Sequence, residues 1–272
     1  MLRAGLAVVS ARYRTLLQYR AAAIAGFGTQ VFWGAIKIMI LMAFYAVSDE
    51  PQPMSLGEVV AYIWLGQALL GMLPWNIDKE IEQLIREGGV SYELMRPLDL
   101  YYFWFCRTIA LRTATTTLRS IPMIVFAMAI LPMMGAADWA LAPPPSVIAF
   151  ISFLASLICA LMLSCAITML MHVFLVWTIS GAGLNRMMPS LVIVFSGMVL
   201  PLPLFPDWLQ PFLNAQPFRG LVDVPFRIYS GNIPFADVPF ELMLQIFWTT
   251  VFVAFGRLLL TRSLRQLVVQ GG

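Results

Sequence analysis

Long apolar runs separated by short polar stretches set the layout of this chain. A helix that crosses a bilayer needs roughly 20 apolar residues. Runs over 21–47, 59–73, 121–134, 147–176, 184–200 and 240–260 therefore predict about six transmembrane helices in an all-α integral membrane protein. Pro74 and Trp75 close the second run, and a proline-rich stretch beginning at Pro201 closes the fifth. Ahead of the third apolar core, residues 101–120 read as helix bearing Arg107, Arg112 and Arg119. Arg112 and Arg119 are seven apart and share a face, which puts them at or below the cytoplasmic headgroups. No repeat, low-complexity run or long linker interrupts the pattern, so one membrane domain over 1–272 is expected.

Three stretches depart from the apolar rule. In residues 1–20, Leu2, Leu6, Val9, Tyr13, Leu16 and Leu17 share one helical face. Arg3 and Arg14 flank it on one side, Arg12 and Arg20 on the other. That pattern suits an amphipathic helix lying in the headgroup layer with its arginines on lipid phosphates. It serves either as a plain anchor or as a contact for a partner.

The second stretch, NIDKEIEQLIREGGVSYELMRPLDL over 76–100, is dense in charge. On a 3.6-residue helix Ile77, Ile81, Leu84 and Ile85 fall on one face, and Asp78, Lys79, Glu82, Gln83 and Arg86 on the other. Glu82 stands four residues before Arg86, the favourable order for a helical ion pair. Gly88 and Gly89 supply a C-terminal stop, and Pro97 bars any longer helix through the turn beyond them. A short amphipathic helix between spans is a handle for something outside the membrane.

The third stretch, 201–239, is rich in Phe, Trp and Pro and too apolar for a solvated linker. Its Pro and Gly spacing allows only short helices, about 207–213 and 218–229. Such backbone is tolerated at membrane depth only under cover of protein or water. It reads either as a re-entrant hairpin held against the bundle or as an ordinary interfacial hairpin.

Composition agrees with the pattern: 60% of the 272 residues are hydrophobic, 11% are charged, and the mean hydropathy is +0.83. Charge adds orientation. Residues 49–58 and 135–146 hold no Lys or Arg, whereas the handle holds Lys79, Arg86 and Arg96, a later turn Arg186, and the tail Arg262 and Arg265. The positive-inside rule then puts both termini and the handle in the cytoplasm, with Arg219 and Arg227 as exceptions. The net charge of +3 is too scattered for nucleic acid. Cys106, Cys159 and Cys165 lie in or beside apolar runs and indicate no disulfide framework. No cleaved signal peptide is expected.

Much familiar chemistry is missing. The two lysines, Lys37 and Lys79, follow no phosphate-binding glycine loop, so the chain cannot bind ATP in the P-loop manner. The single histidine, His172, excludes multi-histidine zinc motifs and reads as a packed polar residue. All 14 carboxylates lie in loops or at span ends. Lys37 is the charge well inside a span. It either lines a substrate path or lumen or snorkels outward.

The segment IDKEIEQLIREGGVSYELMRPLDLYYFWFCR resembles the loop between the second and third spans of type 2 ABC exporter permeases. GMVLPLPLFPDWLQPFLNAQPF and VPFRIYSG resemble the external region of the same bacterial branch. The likeness covers nearly the whole chain. It implies a permease subunit in the bacterial inner membrane, with an interfacial helix over about 2–19, a cytosolic coupling helix over 78–87 and a re-entrant external hairpin. It further implies that Asp78, Glu80, Ile81, Glu82, Leu84, Ile85, Arg86 and Glu87, with Gly88, Arg96 and Pro97 at the exit, engage a cytosolic ATP-binding subunit. That partner would bind ATP and magnesium, and this chain would hold no cofactor. A second permease, identical or a sister chain, completes the assembly, and the cargo is hydrophobic or amphipathic: a drug, lipid or glycan-like molecule. The alternatives are a membrane scaffold or enzyme subunit without transport, or an ion-coupled carrier using Lys37. The arginine-bearing start of the third span is unusual for the branch.

Overall fold

A computed structural model describes residues 2–18, 20–48, 51–178 and 181–266, and every regular element among them is helical. Tyr19 and Asp49, together with the side chains of Arg20 and Arg265, lie outside the described residues. In chain order the helices are α1 (Leu2–Leu16), α2 (Arg20–Val47), α3 (Leu56–Ala68), α4 (Lys79–Arg86), α5 (Val90–Leu94) and α6 (Leu100–Val125). A π turn over Phe126–Ile130 joins α6 to α7 (Leu131–Met133). Then come α8 (Val147–Thr178), α9 (Ala182–Phe195), α10 (Gln210–Ala215), α11 (Asp223–Ser230) and α12 (Val238–Gln266).

Among the described residues four helices are long and apolar enough to cross a bilayer: Gly26–Val47, Leu100–Met133, Val147–Thr178 and Val238–Leu264. The other two expected spans are shorter. At 1.5 Å per residue, the 13 residues of α3 rise about 20 Å, less than a hydrocarbon core of about 30 Å. What α3 lacks in length it has in burial, because every residue from Val59 to Ala68 is buried. It forms the centre of the main core, with Trp64 against Phe126, Tyr62 against Phe226, and Trp64 Nε1 donating to the Trp139 carbonyl at 2.6 Å. Ser55 and Glu58 start it with a reciprocal capping box.

The third span differs from its expected form. Instead of an arginine-bearing segment outside a short apolar core, residues 100–133 make one continuous helix of 34 residues. Pro122 inside it removes a backbone donor, and the π turn comes within one turn of helix. Of the two arginines expected to share a headgroup face, Arg112 is 3% exposed and turns into the protein, as does Arg107 at 8%, whereas Arg119 is half-buried.

The hairpin over 201–239 forms two helical turns close to those expected. A 3-10 turn at Asp207–Leu209 runs into α10, and a second at Pro217–Leu221 leads to α11, which Gly231 ends. Along α8, Phe153 meets Tyr229 of the hairpin, whereas His172 accepts from the Asp78 amide at the head of α4. The hairpin and the handle thus occupy opposite ends of the same helix.

Candidate functional site

The handle begins where α3 ends. Asp78 caps α4, its Oδ1 accepting from the Glu80 amide at 2.9 Å. Gly88, at φ +75°, turns the chain out of α4, a conformation that costs a residue without Cβ little. Of the apolar face, Ile77 and Ile81 are buried at 1% and 0% exposure, while Leu84 and Ile85 are half-buried. Ile81 packs with Trp104, Met169 and Val173 of α6 and α8.

A cluster of ionised groups holds this helix to the bundle. Arg107 reaches Glu80 at 2.9 Å, Glu93 at 3.2 Å and Asp78 at 3.8 Å. Arg12, from α1, reaches Glu80 at 2.7 Å and Asp78 at 3.5 Å. Trp104 Nε1 donates to the other oxygen of Glu93 at 2.5 Å. Arg112 donates to the Asn76 carbonyl at 2.8 Å and to Thr168 at 3.1 Å. The Asp78 amide donates to His172 Nε2 at 2.9 Å, so that nitrogen carries no proton. Buried charges are costly unless paired; Arg107, Asp78 and Glu93 are paired across elements, whereas Arg112 is held by neutral acceptors.

The start of α9 closes the other side. Asn185 Oδ1 accepts from the Ile77 amide, and Glu82 accepts from the Gly181 amide, both at 3.2 Å. A Cβ at Gly181 would meet Ile77 Cδ1, so any larger residue there would have to displace the end of that side chain.

Several expected placements are corrected by this geometry. Arg12 serves carboxylates rather than lipid phosphates, because Gly5 lies against Tyr102 of α6 and Val8 packs in the core beside it, which turns Arg12 toward Asp78 and Glu80 and leaves Leu2 and Leu6 exposed. Arg3 and Arg14 are exposed. Asp78 faces the protein instead of solvent, and Glu82 bonds to Gly181; among the described residues no salt bridge joins it to Arg86. The outward face of the handle consists of Lys79, Gln83, Arg86 and Glu87. It continues into Tyr92, Leu94 and Met95, at 72%, 47% and 74% exposure, with Arg96 and Pro97 also exposed. The Arg96 guanidinium lies 4.9 Å from the Phe103 ring.

Glu93, Arg107 and Asn185 belong to the handle's anchorage although the amphipathic pattern did not single them out. The one signal was the arginine-bearing start of the third span: charge inside an apolar helix demands a buried partner. The two exceptions to the charge rule have a similar answer. Arg219 bonds Glu241 at the start of α12 at 2.9 Å, and Arg227 bonds Asp223 within the hairpin at 3.3 Å, so neither sits in a free loop. Burial pushes the Asp223 carboxyl above its ordinary value, and the Arg227 and Arg219 guanidinium groups pull it back. Lys37 lies on α2 and donates to the Met198 carbonyl at 2.8 Å. It borders a cleft of about 250 Å³ with Gln30, Trp33, Gln67 and Trp75.

These features define an all-α membrane protein whose polar handle is locked to its spans on one face and bare on the other. A family model described as ABC-2 family transporter protein matches residues 31–271, and the chain belongs to that family. Comparison with curated proteins and with solved structures gives no match.

Proposed function

We propose that the chain is the permease subunit of an ATP-driven exporter, and that α4 with the turn after it is the coupling element gripped by a separate cytosolic ATP-binding subunit. The observation that carries this reading is the two-faced handle. Its inner face is tied to α1, α6 and α8 through Arg12, Arg107 and His172, so a push on α4 moves those helices as one body. Its outer face offers Gln83, Arg86 and Glu87 beside the apolar Tyr92, Leu94 and Met95, a mixed patch of the kind protein partners cover. Both termini and the handle then lie in the cytoplasm of an inner-membrane protein, and ATP and magnesium belong to the partner. Two permeases, identical or sister chains, enclose the path, and rocking of the bundles gives alternating access. The cargo is hydrophobic or amphipathic, and the Lys37 cleft borders its route.

The choice of test rests on which residues face outward. Ile81→Asp would damage the fold, because Ile81 is fully buried. The informative variant is Arg86→Glu with Met95→Asp, at exposed positions. Co-purification of an ATP-binding subunit with the native chain, its loss in this variant, and unchanged membrane insertion are the expected results. Full retention of the subunit and of ATP-driven efflux in the variant would overturn the assignment. Efflux that survives Lys37→Met and stops without ATP is also expected; the reverse pattern would mark an ion-coupled carrier.

A further inference from the structure

At the hairpin end of the bundle a cleft of about 790 Å³ opens between residues 203–219 and the first turns of α12. Four ionisable side chains line it, Asp207 and Glu241 against Arg219 and Arg227, so their formal charges cancel. Asn214 adds a carboxamide, and Phe247 with Trp248 adds aromatic surface. Phe240, Met243 and Phe247 along the same end of α12 are each more than half exposed, which gives the cleft an apolar flank.

The polar part of this lining is built into the fold. Arg219 and Glu241 are 4% and 8% exposed and are joined by one bond, Nη2 to Oε1 at 2.9 Å. Arg219 Nη1 donates to the Asn214 carbonyl at 3.3 Å, and two atoms of the pair, Arg219 Nε and Glu241 Oε2, have no partner among the described residues. A buried donor and a buried acceptor are thus left unsatisfied within one ion pair, a costly arrangement. A hydroxyl accepts from the first and donates to the second. A phosphate would satisfy only the guanidinium and would meet Glu241 and Asp207; an ammonium would satisfy only the carboxylate and would meet Arg219 and Arg227.

We infer that this cleft binds a neutral polyhydroxylated group of the sugar-ring type, with Arg219 and Glu241 sharing its hydroxyls and Phe247 and Trp248 against its apolar face. The group arrives either as a free saccharide or as the headgroup of a lipid whose chains lie along α12. The inference requires no ATP-binding partner and stands or falls apart from the coupling reading.

The test uses the full chain in phosphatidylcholine nanodiscs doped with equal amounts of digalactosyl diacylglycerol, phosphatidylethanolamine and phosphatidylglycerol of matched chains. Lipids retained on the protein are read by native mass spectrometry. Retention of the galactolipid about tenfold over both phospholipids is expected, the equivalent of one or two net hydrogen bonds. Asn214→Ala with Phe247→Ala, at two exposed positions and with no change of charge, should bring the three lipids to parity. Saturation-transfer NMR with free digalactose on the same discs separates the sources. A signal lost in the variant shows that the sugar alone suffices, and silence beside selective galactolipid retention assigns the lipid headgroup. Equal retention of all three lipids together with no saccharide signal, a preference for phosphatidylglycerol, or a galactose preference that the double variant leaves intact overturns the inference. No ATP enters the experiment, so such an outcome leaves the handle assignment where it stood.

Discussion

The two ends of α8 carry two buried charge clusters with opposite designs. At the handle end, Arg107 of α6 meets carboxylates from three places, Asp78 before α4, Glu80 within it and Glu93 in α5, while Arg12 brings in α1. At the hairpin end, Arg219, Asp223 and Arg227 lie four residues apart along one segment, and Glu241 alone ties them to a long helix. The first cluster joins elements distant in sequence; the second mostly stiffens a single plug. The handle cluster therefore ties α4 to several helices, whereas the hairpin cluster is bonded mainly within its own segment, with Tyr62 of α3 and Glu241 of α12 as its outside partners.

The largest expected effect is at Arg107. Arg107→Met leaves Asp78 and Glu93, both 5% exposed, without their central cation. Breaking a buried charge network from one side costs about 3–5 kcal/mol. Thermal unfolding of the purified variant should show that loss, with α1 detaching first by hydrogen exchange. Arg107→Lys keeps the charge but not the fork that reaches three carboxylates, and an intermediate loss is expected. A native-like melting curve for Arg107→Met would erase the contrast between the two ends.

The hairpin should respond less. Glu241→Gln removes the closest partner of Arg219, yet Asp223 at 4.0 Å and the Asn214 carbonyl at 3.3 Å remain. A loss of about 1–3 kcal/mol is expected, in the range for a damaged buried hydrogen bond. Replacing both members, Arg219→Met with Glu241→Met, should recover most of it, since paired charges exchanged together for apolar groups are often neutral. The same double replacement at Arg107 and Glu93 should not recover, because Asp78 and Glu80 would still lack Arg107.

His172 offers a smaller, single-bond version of the same comparison. Its Nε2 accepts from the Asp78 amide. His172→Phe keeps the packing beside Trp104 but leaves that buried amide unsatisfied, and a cost of about 1–3 kcal/mol is expected in urea or thermal titration. His172→Gln, able to accept through its side-chain oxygen, should lose less.

What the sequence showed and what it hid divide along these same lines. Local periodicity marked the handle's apolar face, the glycine at its exit and the two short turns of the hairpin, since each depends on neighbours within a few positions. It misjudged Asp78 and Glu82, because a helical wheel sorts residues by polarity and knows nothing of His172 or Gly181, roughly 100 positions away. Arg107 and Arg112 were visible as an oddity, but their partners could not be named from spacing alone. The surroundings of α3, a helix continued by a 3-10 turn over Leu70–Met72, were hidden for a related reason. An apolar run of the right composition can face lipid or be buried within the protein, and only its neighbours decide which.

The finest distinction concerns Glu82. Spacing favours an ion pair with Arg86, whereas the fold gives its carboxylate to the Gly181 amide at the start of α9. An exposed pair four apart on a helix contributes about 0.3–0.5 kcal/mol, and a hydrogen bond from a backbone amide to a charged acceptor about 1.5–3 kcal/mol. Arg86→Ala should accordingly change stability by less than about 0.5 kcal/mol. Glu82→Ala should cost more, about 1 kcal/mol or above, because Gly181 is buried and its amide loses its acceptor. The double-mutant cycle decides between the two arrangements. Coupling near zero between Glu82 and Arg86 fits the bond to Gly181. Coupling as large as the whole Glu82 effect would return that carboxylate to Arg86, and with it one of the ties that hold α4 against α9.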